Sequence, residues 1–178
     1  TFTTADWDTP QTVTVTGVDD DLVDGTITST ITIAVDDANS DDDFDTISDQ
    51  TVSVDTLDDD AAGFTIEETD AATEVDESGT TDTFTIVLDA QPTNDVVVLA
   101  TASNDETEAT VSGSITFTSE NWDTPQTVTV TGVDDDLVDG DQTYDITISI
   151  VDTISDDEFD GVADQSISST TIDDDTPG

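Results

Sequence analysis

The chain has no Lys, Arg, His, Cys or Met, and each absence removes a class of chemistry. Without Lys and Arg there is nothing to displace phosphate counterions or to meet an anionic bilayer, so nucleic acid and acidic membrane surfaces are excluded as partners. Without Cys, His or Lys there are no thiol nucleophiles, imidazole bases, Schiff bases, zinc sites or disulfides. Long apolar runs are missing too: no window approaches the roughly 18 residues needed to span a bilayer. Neither an initiating Met nor a basic leader is present, so the chain reads as an interior segment of something longer. What remains is acid. Asp and Glu supply 46 of 178 residues, and the formal charge is −46.

This is not the composition of acidic disorder. Hydrophobic residues make up 33%, and the Val, Ile and Phe among them recur in short patterned runs. The segment WDTPQTVTVTGVDDDLVDG occupies residues 7–25 and recurs letter for letter at residues 122–140, 115 positions later. The same spacing relates Phe44 to Phe159 and the triplet 58–60 to the triplet 173–175. A repeat of this length is an ordinary domain, able to bury about two thirds of its unfolded surface. In this phase residues 61–178 hold one complete unit, and residues 1–60 match the C-terminal half of a preceding one. Such a half arises either from a longer tandem array, which we favour, or from strands donated by another chain.

Alternation of Thr and Val at residues 127–131 and 11–16 predicts strands. Further strands are expected at 64–67, 82–88, 95–101, 111–118, 144–150 and 166–172, so the complete unit has seven. Turn-rich Asp, Gly, Asn and Ser clusters separate them, and no window has a helical period. The expected fold is therefore all-β, a seven-stranded antiparallel Greek-key β-sandwich. Inward parity gives a core of Phe84, Ile86, Leu88, Ile115, Phe117, Val128, Val130, Tyr144, Ile146, Ile148 and Ile172, with Trp122 capping one end.

In such a sandwich the loops after the first, third, fifth and seventh strands share one end, and each is acidic: VDESG at 75–79, NDE at 104–106, DDDLVDG at 134–140 and DDD at 173–175. Close carboxylate pairs cost about 1 to 4 kcal/mol each at effective dielectrics of 80 to 20. With no base in the chain, a hard divalent cation is the natural remedy, and calcium accepts six to eight oxygens in flexible geometry where magnesium prefers retained water. A solvated acidic surface accounts for scattered acids such as Asp36, Asp89 and Asp145, but poorly for triplets repeated at strand ends that meet. The runs at 41–45 and 156–160 are a weaker second candidate. EF-hand and nonapeptide calcium patterns do not match.

These letters resemble the Calx-beta domain. VDESG is similar to its V-x-E-x-x-G turn, 101–106 stands where the family has T-E-D-G, 132–144 resembles its G-x-x-DDD-x-x-E-x-D-E-x-F segment, and 173–175 matches its terminal DDD. The resemblance implies calcium ligands at Glu77, Asp105, Asp134, Asp135, Asp139, the Leu137 carbonyl, Asp173, Asp174 and Asp175. In the first copy it implies Asp19, Asp20, the Leu22 carbonyl, Asp24, Asp58, Asp59 and Asp60. Gln142 and Ile27 stand where the family has Glu, so the outermost ion of its cluster is not implied. The family's tandem arrays in giant bacterial surface proteins, RTX-type adhesins among them, imply a non-enzymatic, extracellular extender whose partners are neighbouring repeats of the same chain or like chains in a fibre. Other readings are a glycan- or ice-binding module using the Thr ladders 12-14-16 and 127-129-131, a calcium sensor, and a two-carboxylate glycosidase, for which no cleft is evident.

Overall fold

A computed structural model describes residues 1–70, 72–103 and 107–176. Among the described residues eleven strands run in chain order: β1 Ile27–Ile33, β2 Gln50–Thr56, β3 Phe64–Glu68, β4 Thr73–Asp76, β5 Thr81–Leu88, β6 Val96–Ala102, β7 Ala109–Val111, β8 Ser114–Phe117, β9 Gln126–Gly132, β10 Gln142–Ile150 and β11 Gln165–Ile172. The only helical elements among the described residues are three-residue 3-10 turns. From β3 onward the strands form a five-stranded sheet, ordered β4-β11-β10-β6-β8, and a four-stranded sheet, ordered β3-β5-β9-β7.

The two sheets face each other across one apolar cluster. Phe84, Ile86, Val128 and Val130 come from one sheet, and Val96, Val98, Phe117, Ile146 and Ile148 from the other. The protein is thus an all-β sandwich, and alternation is what builds it: in β9 the Val side chains are buried while the Thr residues point outward.

Three details depart from the sequence expectation. The 111–118 strand breaks at Gly113, whose positive φ of 89° lets the chain cross from the four-stranded to the five-stranded sheet. The first strand does likewise, its continuation β4 lying in the other sheet, so seven expected strands become nine segments. One pairing is parallel: β4 runs alongside β11 with Asp76 opposite Ile172. In the core list, Ile115 and Ile172 are half-buried. Near the end of β11 the buried side chains are Ser169 and Thr171. Polarity there is tolerated because the Ser169 hydroxyl donates to Tyr144 Oη at 3.1 Å, and Thr171 Oγ1 lies 3.2 Å from the same oxygen. Trp122 packs against the cluster, as expected.

Residues 1–60 behave differently. β1 and β2 pair in the register of β10 and β11, with Ile27 opposite Thr56 as Gln142 is opposite Thr171. Residues 11–16, expected as a strand, form none. Their twin β9 lies between β5 and β7, and residues 1–60 contain no counterpart of either. An isolated alternating segment has nowhere to place its backbone donors and acceptors.

Candidate acidic site

The parallel β4–β11 pair determines the site. Because Asp76 lies opposite Ile172, the next residues on both strands, Glu77 and Asp173, leave the sheet side by side. The Glu77 N–H donates to the Ile172 carbonyl at 3.1 Å, which fixes the turn on the strand end. Asp76 shapes that turn: its Oδ1 accepts from Ser78 N at 2.9 Å, and its carbonyl accepts from Gly79 N at 3.1 Å, with Gly79 at a φ of 90°. The side-chain and backbone hydrogen bonds of Ser78 hold the Asp76 carboxyl below its usual range. Gly132 permits the approach, since a Cβ there would lie 2.1 Å from the Asp76 carbonyl oxygen.

Glu77, Asp173 and Asp175 each place a carboxylate oxygen so that all three lie within 4.8 Å of one another. Glu77 is 1% exposed. Both Glu77 Oε2 and Asp175 Oδ2 are buried without a hydrogen-bond partner. Burial, followed by the charges of Asp173, Asp135, Asp139 and Glu108, pushes the Glu77 carboxyl up to about 7. Asp175 is also raised, first by burial and then by Asp173, Asp174, Asp136 and Asp134. Asp173 is therefore common to two groups of acids, one around Glu77 and one around Asp175.

The long loop is ordered by its own acids. Asp135 Oδ1 accepts from Leu137 N at 2.7 Å, and Asp173 Oδ2 accepts from Gly140 N at 2.7 Å. Asp175 N donates back to Asp173 Oδ1 at 2.8 Å. These bonds use the strong donors available and leave the remaining carboxylate oxygens for other partners. Asp105 lies outside the described residues.

The first copy repeats the pattern. Asp20 Oδ1 accepts from Leu22 N at 3.1 Å, Asp58 Oδ2 from Gly25 N at 2.7 Å and Asp24 N at 3.0 Å, and Asp58 Oδ1 from Asp60 N at 2.8 Å. The hydrogen bonds from Asp60, Gly25 and Asp24 lower the Asp58 carboxyl. Asp60 is raised, by burial and by Asp58, Asp59, Asp21 and Asp19. A buried Glu77 equivalent has no place in residues 1–60, whose sequence holds no VDESG turn.

Three acids near the clusters were not singled out from sequence. Asp21 and Asp136 act on Asp60 and Asp175. Glu108 stands just before β7, where its carbonyl accepts from Val133 N at 2.8 Å. Its carboxyl is raised by burial and by Asp139 and Asp135. An acid immediately before the buried Ala109 was the available signal.

The second acidic run has a structural occupation. Asp156 is 3% exposed, and its carboxylate accepts from Thr93 Oγ1 at 2.8 Å, Asn94 N at 2.6 Å and Glu158 N at 3.2 Å. Burial raises this carboxyl, and those hydrogen bonds outweigh it and leave it lowered. The same turn buries Phe159 completely.

No protein-family model matches the chain, and no curated protein sequence does. Solved structures similar to it include the E. coli chaperone DraB, at 10% identity and a TM-score of 0.43 over 65% of this chain and 59% of that one. An apo-form Calx CBD1 domain matches at 14% identity and 0.40 over 63% of this chain and 98% of its own. Domains 4 and 5 of the S-layer protein SbsC match at 19% and 0.39 over 70% and 63%. The chain spans less than two thirds of the chaperone and S-layer structures. Scores of this size leave the functional reading to the chain's own residues. Among the described residues no helix is long and apolar enough to cross a membrane.

Proposed function

We propose that the protein is a calcium-binding, non-enzymatic extender: Calx-beta-like sandwich units in tandem, stiffened by metal and carried outside the cell on a bacterial surface fibre. The observation that carries this is the trio Glu77, Asp173 and Asp175, whose carboxylates come within 4.8 Å of one another, with Glu77 and Asp175 each keeping one buried oxygen without a hydrogen-bond partner, in a chain that has no Lys, Arg or His. Orphaned buried acceptors are costly, and a hard cation taking oxygen donors satisfies them. Asp134, Asp135, Asp139, Asp174 and the Leu137 carbonyl complete the donor set on this reading, with Glu108 as an addition. Asp19, Asp20, Asp24, the Leu22 carbonyl and Asp58 to Asp60 form the corresponding set in residues 1–60, which we read as the second half of a preceding unit.

The position of the first set supports the extender role. Asp60 is separated from Phe64 of the next unit by Ala61, Ala62 and Gly63 alone. The loop whose acids surround Asp60 also touches that unit, through Val23 N donating to the Gln91 carbonyl at 3.1 Å. Metal held there ties the angle between units to calcium. Sites of the extracellular type bind at about 10⁻⁴ to 10⁻³ M, which matches calcium outside cells and not inside.

Calorimetric titration with calcium, followed by small-angle scattering with and without chelator, tests this reading. Saturable binding and a narrower, longer distance distribution with calcium are expected. No heat, and identical scattering in both buffers, would overturn it.

A further inference from the structure

The loop DDDLVDG occurs twice, in identical sequence and with the Leu N–H bonded to an Asp of the loop and the Gly N–H bonded to the strand-end Asp in both copies, yet its apolar pair Leu-Val has two different surroundings. At residues 22 and 23 it is engaged. Val23 is 8% exposed and belongs to the apolar cluster of the following unit, together with Phe64, Leu88 and Ala90. The backbone is stitched to the turn between β5 and β6: Gln91 N donates to the Asp21 carbonyl at 2.7 Å, and Val23 N donates to the Gln91 carbonyl at 3.1 Å, making a parallel bridge between Leu22 and Gln91. Gln91 is held in turn by its side-chain amide, which donates to the Ser119 carbonyl at 2.7 Å.

At residues 137 and 138 the same pair is 60% and 53% exposed. Among the described residues, no backbone hydrogen bond joins Asp136 or Val138 to such a turn. The Gln91 turn of this chain is already taken by its own Leu22 and Val23.

We propose that Leu137 and Val138 are a docking knob for the Gln91 turn of a following copy of the unit, seated as Leu22 and Val23 are seated here. This rests on the tandem reading above and deepens it by assigning the contact between units. The chemistry suits a polyanion. Two surfaces without a single Lys or Arg cannot attract each other through their own charges, so the cohesion that their own groups supply comes from apolar burial and from backbone hydrogen bonds. The turn at 90–92 offers both and bears no carboxylate.

The test extends the 178-residue chain after Gly178 with a copy of residues 64–175. Amide hydrogen exchange at Val138 is expected to slow about tenfold or more relative to the unextended chain, approaching the protection at Val23. V138D in the extended chain should abolish that protection and broaden the scattering distance distribution, while V23D in the unextended chain frees residues 1–60 in the same way. Equal exchange at Val138 with and without the extension would overturn the proposal. Each measurement is made in calcium and in chelator. Protection lost with V138D and untouched by chelation sinks the calcium reading and keeps the docking; protection lost on chelation and indifferent to V138D does the reverse.

Discussion

Residues 7–25 and 122–140 are the same nineteen letters in two states. In the second copy Val128 and Val130 are fully buried in β9; in the first, Val13 and Val15 are 72% and 51% exposed in irregular chain. Propensity and alternation are identical, so neither decides the outcome. The difference is β5 and β7, which flank β9 and have no counterpart in residues 1–60. The acidic loops teach the opposite lesson. Asp58 and Asp173 accept the same glycine N–H at the same 2.7 Å in both copies, since that geometry is closed by hydrogen bonds within one sheet end. Strand order is a property of the whole unit, whereas loop order is local.

Matched substitutions at the 115-residue spacing turn this into measurement. Phe159 is fully buried and its twin Phe44 is 53% exposed. F159A should therefore cost about 3–5 kcal/mol by cavity formation. F44A should stay within about 0.5 kcal/mol. Denaturant unfolding of both variants in calcium decides it. Equal losses would mean that residues 1–60 have a packed core, and the comparison would fail.

Calcium should separate the copies next. Each site present only in the folded state adds about 2.7 kcal/mol when calcium is at 100 times its dissociation constant. Chelation should lower the melting temperature of the complete unit, and E77Q should remove much of that response. D58N, in the copy without a buried glutamate, should change it less.

How much of this was legible follows from the same distinction. The buried Val and Ile residues of β9 and β10 were readable because period-2 alternation specifies one face. The convergence of the turn 75–79 with 173–175 was also readable, as a consequence of sandwich topology. Its geometric cause was not: the parallel β4–β11 pair arises from a strand that switches sheets, and no local pattern in TEVD encodes it. The hydrogen bonds of Asp156 were not readable for a related reason: they come from Thr93 and Asn94, over 60 residues away in sequence.

Gly132 and Gly17 give a third matched pair. A Cβ at Gly132 would collide with the Asp76 carbonyl at 2.1 Å, whereas at Gly17 the nearest atom is the Thr56 methyl at 3.9 Å. G132A should cost about 1–3 kcal/mol as the 76–79 turn is displaced. It should also weaken calcium binding, because Glu77 moves with that turn. G17A should be near neutral. A calcium titration unchanged by G132A would show that the turn does not position the site.

The smallest effect is the most diagnostic of Glu77. Without metal, burial and the neighbouring carboxylates push its carboxyl up to about 7 in the folded state, against 4.5 for an ordinary glutamate. Between those values the folded chain holds a proton that the unfolded chain has released, so stability falls as pH rises from about 4.5 to about 7. Metal-free protein should thus melt higher at pH 5 than at pH 7.5. General repulsion among the 46 acids acts in the same direction. E77Q isolates the glutamate: it removes this titration alone and should shrink the pH difference, leaving the background from the other carboxylates. Calcium should reverse the sign of the Glu77 contribution, because the ion requires the ionised carboxylate and its binding releases the proton. Proton release on calcium addition at pH 6.5, measured in buffers of different ionisation enthalpy, should therefore be smaller in E77Q, and equal release in the two proteins would assign the proton elsewhere.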